Sequence, residues 1–532
     1  MMRSPCQVLS ILGYESFLFH PRSGLQRAAA SYVRFYLFGT GFFPRFESER
    51  TESAQGGMKK ILVHHPSVFL FRLLYSLGRT GTVVHMTALS ESIRNDRETI
   101  FRQLSELVAF NSVHNEEGLE DQTKGASQWV KSALEEAGVS VETITTADGS
   151  TAILGERKGD EGAKTVLLYS HYDVVPAGNR EAWDSDPFTL TERQAADGST
   201  RWYGRGAADC KGNVAMHLAA LRAVDNNGGT KVNLKYLIEG SEERGGEGLS
   251  QLIKDRPELF AADAILIADA GNSAVGQPTL TTSLRGGAQI GVQVDTLAAG
   301  VHSGQFGGAA PDAAKALMRA IDSLSDEYGR TVIDGVDTTA EWSGQEYSAE
   351  AFRADAQLLE GTKIMGEDDP AGATPVANMV WSRPAITVTG FTSTPVAEAV
   401  NAVPATASAQ LNLRVPAGAD AAAIADAVCA HLRSHTPWGA HVKAEVLESN
   451  AGFATDPEKP AAALLGECLS EAYNAETAAQ GMGGSIPLTT ELQEAHPNAE
   501  IALYGVEEPK CTIHSANESV DPTEIENIAA AE

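Results

Sequence analysis

Three dense apolar runs, TVLLYS (165–170), VNLKYLIE (232–239) and DAILIAD (263–269), constrain this chain more than any other feature. Runs of this kind fill strands that are buried on both faces of a parallel sheet. Helical stretches such as 210–226 lie between them, so the order from about 90 to 285 predicts an α/β sheet with crossover helices. A different texture follows. GGAQIGVQVDTL (286–297), the helix-like PDAAKALMRAIDSL (311–324), PAITVTGF (384–391), SAQLNLRVP (408–416), the helix-like 419–434 and HVKAEVLES (441–449) read together as β-α-β-β-α-β. That is the order of a small antiparallel, ferredoxin-like sheet covered by two helices. Helix and strand return from about 458 to 514, as expected if the first unit resumes after an insertion. The predicted fold is therefore α/β: a mixed, mostly parallel sheet flanked by helices, interrupted by a ferredoxin-like α+β domain.

The boundaries that follow are 86–285 and 450–532 for the two parts of the main domain and 286–449 for the insertion. Residues 1–85 hold ten Lys/Arg against four Asp/Glu, whereas the rest of the chain is strongly acidic. They read as a weakly structured extension, with an amphipathic targeting segment as the competing reading. Met86 is expected to open the first helix, because Ile100, Phe101, Leu104, Leu107 and Val108 recur at helical spacing.

With 41 Lys+Arg against 70 Asp+Glu, the formal charge of -29 repels phosphate backbones and anionic membranes, which excludes nucleic acid and membrane surfaces as expected partners. Five cysteines, Cys6, Cys210, Cys429, Cys468 and Cys511, lie far apart without a CxxC pair. Neither a disulfide framework nor a Cys-based zinc knot fits that spacing, and a reducing cytoplasm does. His20, Arg34, Arg45 and Arg72 interrupt the apolar N-terminal stretches, so neither a membrane span nor a standard signal peptide is expected.

The chemistry sits at the ends of the apolar runs, where open α/β sheets place their ligand sites. The first run leads into His171-Tyr172-Asp173, the second into Glu239-Gly240-Ser241-Glu242-Glu243, and the third ends in Asp269. Asp209, in GRGAADCKGN, and His514, in CTIHSANE, stand in loops. Taken singly each has a plain structural reading: a hydrogen-bonded histidine, a solvated acidic turn, a helix cap. Gathered at one sheet edge, the carboxylates would be costly to desolvate without counter-ions, and two His with three carboxylates make the ligand inventory of two divalent cations, one carboxylate being shared. Two such cations about 3.5–4 Å apart polarise a scissile carbonyl and bring a shared water toward a pKa of ~7.

On these residues the chain resembles the co-catalytic zinc exopeptidase family that includes carnosinase, carboxypeptidase G, acetylornithine deacetylase and succinyl-diaminopimelate desuccinylase. SHYDVVPAG matches the family's H-x-D, GRGAADCKG its G-x-x-D-x-K-G, EGSEERGGEGL its E-G-x-E-E, and TIHSANE its late histidine, from about residue 90 almost to the end. GVHSGQFGG and GGSIP are most similar to the carnosinase-type dipeptidase branch. The resemblance implies two divalent ions, zinc first and manganese or cobalt as alternatives. It implies Asp209 as the bridge, His171 and Asp269 at one ion, Glu243 and His514 at the other, and Asp173 orienting His171. Glu242 is implied as the general base for a metal-bridging hydroxide that cleaves a dipeptide.

The same resemblance makes the insertion a lid and homodimerisation module, with His302 reaching into the neighbouring subunit's site. Arg414 and Asn401 are implied to bind substrate, Arg414 through its terminal carboxylate, with Gly484 and Ser485 facing that carboxylate. Relatives often carry Thr where Asn401 stands, and the final IENIAAAE predicts a shortened C-terminal edge. Cys210 and Cys511 are expected as small buried residues outside the metal shell. The rival enzyme reading is an amidohydrolase that removes an acyl group from an amino acid; the rival of another class is an inactive, metal-stabilised binding protein.

Overall fold

A computed structural model describes residues 80–532 apart from Ser485, with side chains from Ala88 onward. The extension up to residue 79 and the Ser485 hydroxyl lie outside the described residues.

Nine strands form the main sheet. At its centre Asn233–Glu239, Thr165–His171, Ala264–Ala268 and Glu500–Tyr504 run parallel in that order. Their residues alternate between two buried faces, as the period of a strand dictates. Leu167, Tyr169, Ile265 and Ile267 pack with Leu249, Ile253 and Leu492 on one side. Leu168, Tyr236 and Ile238 pack with Val214, Leu218 and Leu221 on the other. The helix Lys211–Asn226 is buried almost all round, between this sheet face and the helix Pro522–Ala531, and its alanines permit that close approach. The hairpin Ser140–Thr145 with Thr151–Arg157 makes one edge antiparallel; on the other, Thr279–Leu284 pairs antiparallel with Glu500–Tyr504 and Phe453–Ala454 and parallel with Ala478–Met482.

Between Leu284 and Phe453 the chain builds a second, wholly antiparallel sheet in the order Ala385–Thr392, Thr406–Val415, Gly286–Asp295, His441–Asn450. The helices Ala313–Asp322 and Ala421–His435 cover one face, burying Ile290, Val292, Leu411 and Leu413 against Leu317 and Leu432. The ferredoxin-like expectation for this stretch is borne out, and so is the mixed α/β sheet.

Some elements depart from the sequence expectation. Met86 lies inside the helix Thr80–Asn95 rather than at its start, since no proline stops the helix running back to Thr80. The break comes later, at Asp96, before Arg97–Val108. The last residues do close in a helix, Pro522–Ala531, starting on proline after an Asp521 side-chain cap. A three-stranded sheet of Thr191–Gln194, Thr200–Tyr203 and Ser519–Val520 had no forecast, because strands of two to four residues leave too little period to read. No helix among the described residues is long and apolar enough to cross a membrane.

Candidate metal centre

The strand register sets His171 opposite Glu239, so the parallel strands finish level and their following residues meet at one edge. His171 is the last residue of its strand and fully buried; Asp269 follows the strand Ala264–Ala268 directly. Glu242 and Glu243 open a single 3-10 turn, Glu242–Arg244. Gly245 and Gly246 then turn through φ 96° and 60°, a left-handed pair that glycine adopts without steric cost, and deliver the chain into the helix Glu247–Asp255. Asp209 stands two residues before Lys211–Asn226 and gives that helix no side-chain cap. His514 itself sits at φ 60°, a left-handed backbone that a residue with a Cβ holds only when its surroundings fix it.

These six side chains converge. His171 Nε2 lies 3.2 Å from Asp209 Oδ1 and 3.3 Å from Asp269 Oδ1, with Glu242 Oε2 at 3.9 Å. His514 Nε2 lies 3.1 Å from Asp209 Oδ2 and 3.0 Å from Glu243 Oε2. Asp209 thus turns one oxygen toward each histidine. Behind them, Asp173 Oδ1 stands 3.3 Å from His171 Nδ1, and its two oxygens accept the backbone N–H groups of Glu242 and Glu243 at 3.2 and 3.0 Å.

Charge balance shows what the cluster is suited to hold. Burial pushes Glu242 well above the usual carboxylate range, with Asp269 adding to it, and raises Glu243. Burial likewise brings Asp269 to about 6. His514 is raised to about 10 by its contacts with Asp209 and Glu243. His171 Nε2 and Glu243 Oε1 are buried without a hydrogen-bond partner although oxygens surround them. Orphaned N and O donors grouped around a common point suit divalent ions, and Asp209's divided carboxylate suits two of them.

Two acidic residues at the site, Glu507 and Glu518, escaped the sequence reading, and Cys210, expected outside the metal shell, stands beside the ligand candidates. Glu507 comes within ligand distance of Asp209 and Asp269, and Cys210 within ligand distance of His171 and Asp269, although the thiol donates to Ala268 O at 3.1 Å. Cys210 and Cys511 are both fully buried. Glu239 accepts from Tyr169 OH at 2.7 Å and is raised to about 8 by burial. Glu518, four residues after His514, accepts the backbone N–H groups of Gly206, Ala208 and Asp209 at 3.0, 3.2 and 3.1 Å.

The remaining sequence candidates stand on the second sheet or near it. His302 and Asn401 adjoin one short ladder, Val301–His302 with Ala402–Val403, where Ser303 N donates to Asn401 O at 2.9 Å. Both are exposed, and no hydrogen bond or ion pair joins either side chain to the cluster among the described residues. Arg414 lies on Thr406–Val415, opposite Gly287. Gly484 is exposed in the loop ahead of the helix Pro487–Ala495. A separate group, Asp334, His431 and His435, lies on the second domain, but both ring nitrogens of His431 are engaged, with Asp334 N and with Ser323.

Residues 167–531 match Peptidase family M20/M25/M40. The chain belongs to that family. The likeness read from the four motifs is thereby confirmed, and this M20 peptidase is an enzyme of a family that works with divalent metal ions. It is 54% identical over 450 residues to the cysteinylglycine-S-conjugate dipeptidase of Corynebacterium striatum, covering 84% of this chain and 96% of that one. In fold it is similar to the dipeptidase Dug1p of Saccharomyces cerevisiae, at TM-score 0.68, 24% identity and coverage of 84% and 97%. It is also similar to human carnosine dipeptidase 1, at TM-score 0.67, 21% identity and the same coverage.

Proposed function

We propose that this M20 peptidase hydrolyses the peptide bond of dipeptides, with cysteinylglycine and its S-conjugates as the substrate class. The division of Asp209 between His171 and His514 carries the reading, because it describes a seat for two adjoining cations. His171 and Asp269 would hold one ion, Glu243 and His514 the other, and Asp209 both; zinc fits the donors best, with manganese or cobalt as substitutes. When bound, the ions supply Lewis-acid polarisation of the scissile carbonyl and a water acidic enough to attack near neutral pH.

The side chains do the rest. Glu242, at the edge of the donor cluster, accepts a proton as water adds to the carbonyl carbon and passes it to the departing amine as the C–N bond breaks. Asp173 holds His171 in place through Nδ1 and, by gripping the Glu242 and Glu243 amides, fixes the turn that carries the base. Arg414 and the Gly484–Ser485 loop receive the substrate's carboxylate.

Residues 286–449 act as a lid and homodimerisation unit between the two parts of the catalytic domain, 86–285 and 450–532. The exposed position of His302 supports a role for it in a partner's site, and Asn401, next to the same short ladder, would bind substrate. The scattered free cysteines support a cytoplasmic setting.

The test is turnover of Cys-Gly, an S-substituted Cys-Gly and other dipeptides beside N-acetyl and N-succinyl amino acids, with metal analysis on the same sample. Cleavage of dipeptides by protein that carries two ions per chain is expected. Cleavage of the acylated amino acids alone would replace this reading with the amidohydrolase one.

A further inference from the structure

Arg285 links the main-sheet strand Thr279–Leu284 to Gly286–Asp295 of the second sheet. Neither glycine after it has room for a Cβ, which would stand 2.6 Å from Asn450 O at Gly286 and 2.4 Å from Leu413 O at Gly287. Backbones this close hold the junction, and with it the start of the Arg285 side chain, in one place.

The guanidinium lies against Gly483, donating from Nε to Gly483 O at 3.3 Å. Its Nη1 is buried and has no hydrogen-bond partner. Among the described residues no carboxylate forms an ion pair with Arg285; the charge that bears on it is a second guanidinium, Arg414, whose strand pairs it with Gly287. Burial and that like charge bring Arg285 down to about 10. A half-buried cation set beside another cation, with a buried donor left over, is a costly arrangement that an incoming anion relieves.

The loop says which anion. Gly483 touches Arg285, and three residues later Ile486 and Pro487 line the same narrow cleft as Glu242. At most ~11 Å of extended chain separates the two ends of that loop, the scale of a dipeptide. We propose that Arg285 binds substrate, forming with Arg414 a paired guanidinium seat for the peptide's C-terminal carboxylate. The inference rests on the dipeptide-hydrolase reading and adds to it a source of selectivity. A carboxylate relieves the repulsion between the two arginines, whereas an amidated C terminus leaves the Arg285 donor and charge unmet, so discrimination comes from charge rather than shape.

The experiment uses the full metal-loaded chain and the variants Arg285→Met and Arg285→Lys. Turnover of Ala-Gly is compared with that of Ala-Gly-amide, and melting temperatures are read with and without N-acetylglycine or N-acetylglycinamide. Arg285→Met is expected to lower kcat/KM for Ala-Gly roughly 30–100-fold, mostly through KM, as loss of a charge-assisted pair does. The amide should change less than about threefold, with Arg285→Lys in between. Without ligand, Arg285→Met should melt at the same temperature or higher, because an unpaired half-buried cation is gone, and stabilisation by N-acetylglycine should vanish. Equal losses on Ala-Gly and its amide, or a lowered melting temperature with the preference unchanged, would overturn the inference and make Arg285 structural. Should the native protein cleave neither peptide, the hydrolase reading fails by itself. In that case stabilisation by N-acetylglycine but not its amide, lost in Arg285→Met, still upholds the seat, and its absence overturns it.

Discussion

Glu518 accepts the backbone N–H of Asp209 at 3.1 Å across 309 positions of sequence. The same carboxylate takes the amides of Gly206 and Ala208 and pairs with Arg205 Nη1 at 2.5 Å, while Arg205 Nη2 donates to Ser515 O, next to His514. One buried ion pair therefore fastens together the loops that carry the central aspartate and the late histidine. Glu518→Gln keeps the shape and removes the charge, leaving Arg205 buried without its partner. A loss of about 3 kcal/mol in stability is expected, read from denaturant midpoints at fixed metal. Zinc affinity should fall by roughly 10–100-fold, as for other groups that hold ligands in place. Competition with a chromophoric chelator measures it, and an unchanged zinc affinity would sever Glu518 from the metal centre.

Glu242, as the proposed base, should be separable from the proposed ions. Its Oε2 stands 3.9 Å from His171 Nε2, beyond the 3.0–3.3 Å of the closer donors. Glu242→Gln should keep the full metal content while kcat falls by roughly 10²–10⁴-fold, the usual worth of a positioned proton acceptor. Elemental analysis and turnover on one preparation decide it, and unchanged hydrolysis would free Glu242 of the role.

Asp148 offers a pH-dependent test away from the ions. Burial works against its charge, but hydrogen bonds from Thr146 Oγ1 and Ser150 N, at 2.6 and 3.0 Å, hold its carboxyl well below the usual range. Gly248 N, at the start of the helix after Glu243, donates to its other oxygen at 3.2 Å. A carboxyl depressed on folding adds stability above its unfolded pKa, near 4, and loses it as pH falls toward the folded value. Asp148→Asn places an amide N–H against one of these donors and should cost about 1–2 kcal/mol at pH 7. The gap from the native protein should narrow steadily below about pH 4. A gap independent of pH in urea titrations would mean that shape, and not charge, is what Asp148 contributes.

The parts of the site that were legible in the sequence are those the sheet itself announces. His171, Asp269 and Glu242-Glu243 each follow an apolar run long enough to be read as a buried strand, and the end of such a strand has one place to go. The second sheet was legible for the same reason, its strands Gly286–Asp295 and Thr406–Val415 being ten residues each with alternating burial. Glu518, Glu507 and Arg285 were not. Each is a charged residue in an ordinary loop or at a strand junction, and it gains meaning from a partner some 200 to 310 positions away that no local pattern marks. Buried pairs such as Arg201 with Glu508 belong to the same class, since composition counts charges without saying which are desolvated together.

Asp209 gives the last prediction, because its two oxygens stand 3.2 and 3.1 Å from the two histidines. Cations bound by the native state and not by the unfolded chain stabilise it by about 2.7 kcal/mol at a hundred times Kd. Dialysis against a chelator should therefore lower the melting temperature, and zinc should restore it in a concentration-dependent way. The variants sort the two sites. Asp269→Ala removes a donor from the His171 half only, and about one ion per chain should remain. His514→Ala should do the same for the other half. Asp209→Ala strips a ligand from both, leaving His171 with Asp269 and His514 with Glu243, two donors each, too few for a closed tetrahedral site. Mass-spectrometric metal counts on the three purified variants should read near one, one and zero. A protein that keeps two ions after Asp209→Ala would show that the two histidines bind independently, and the shared-carboxylate reading would have to be given up.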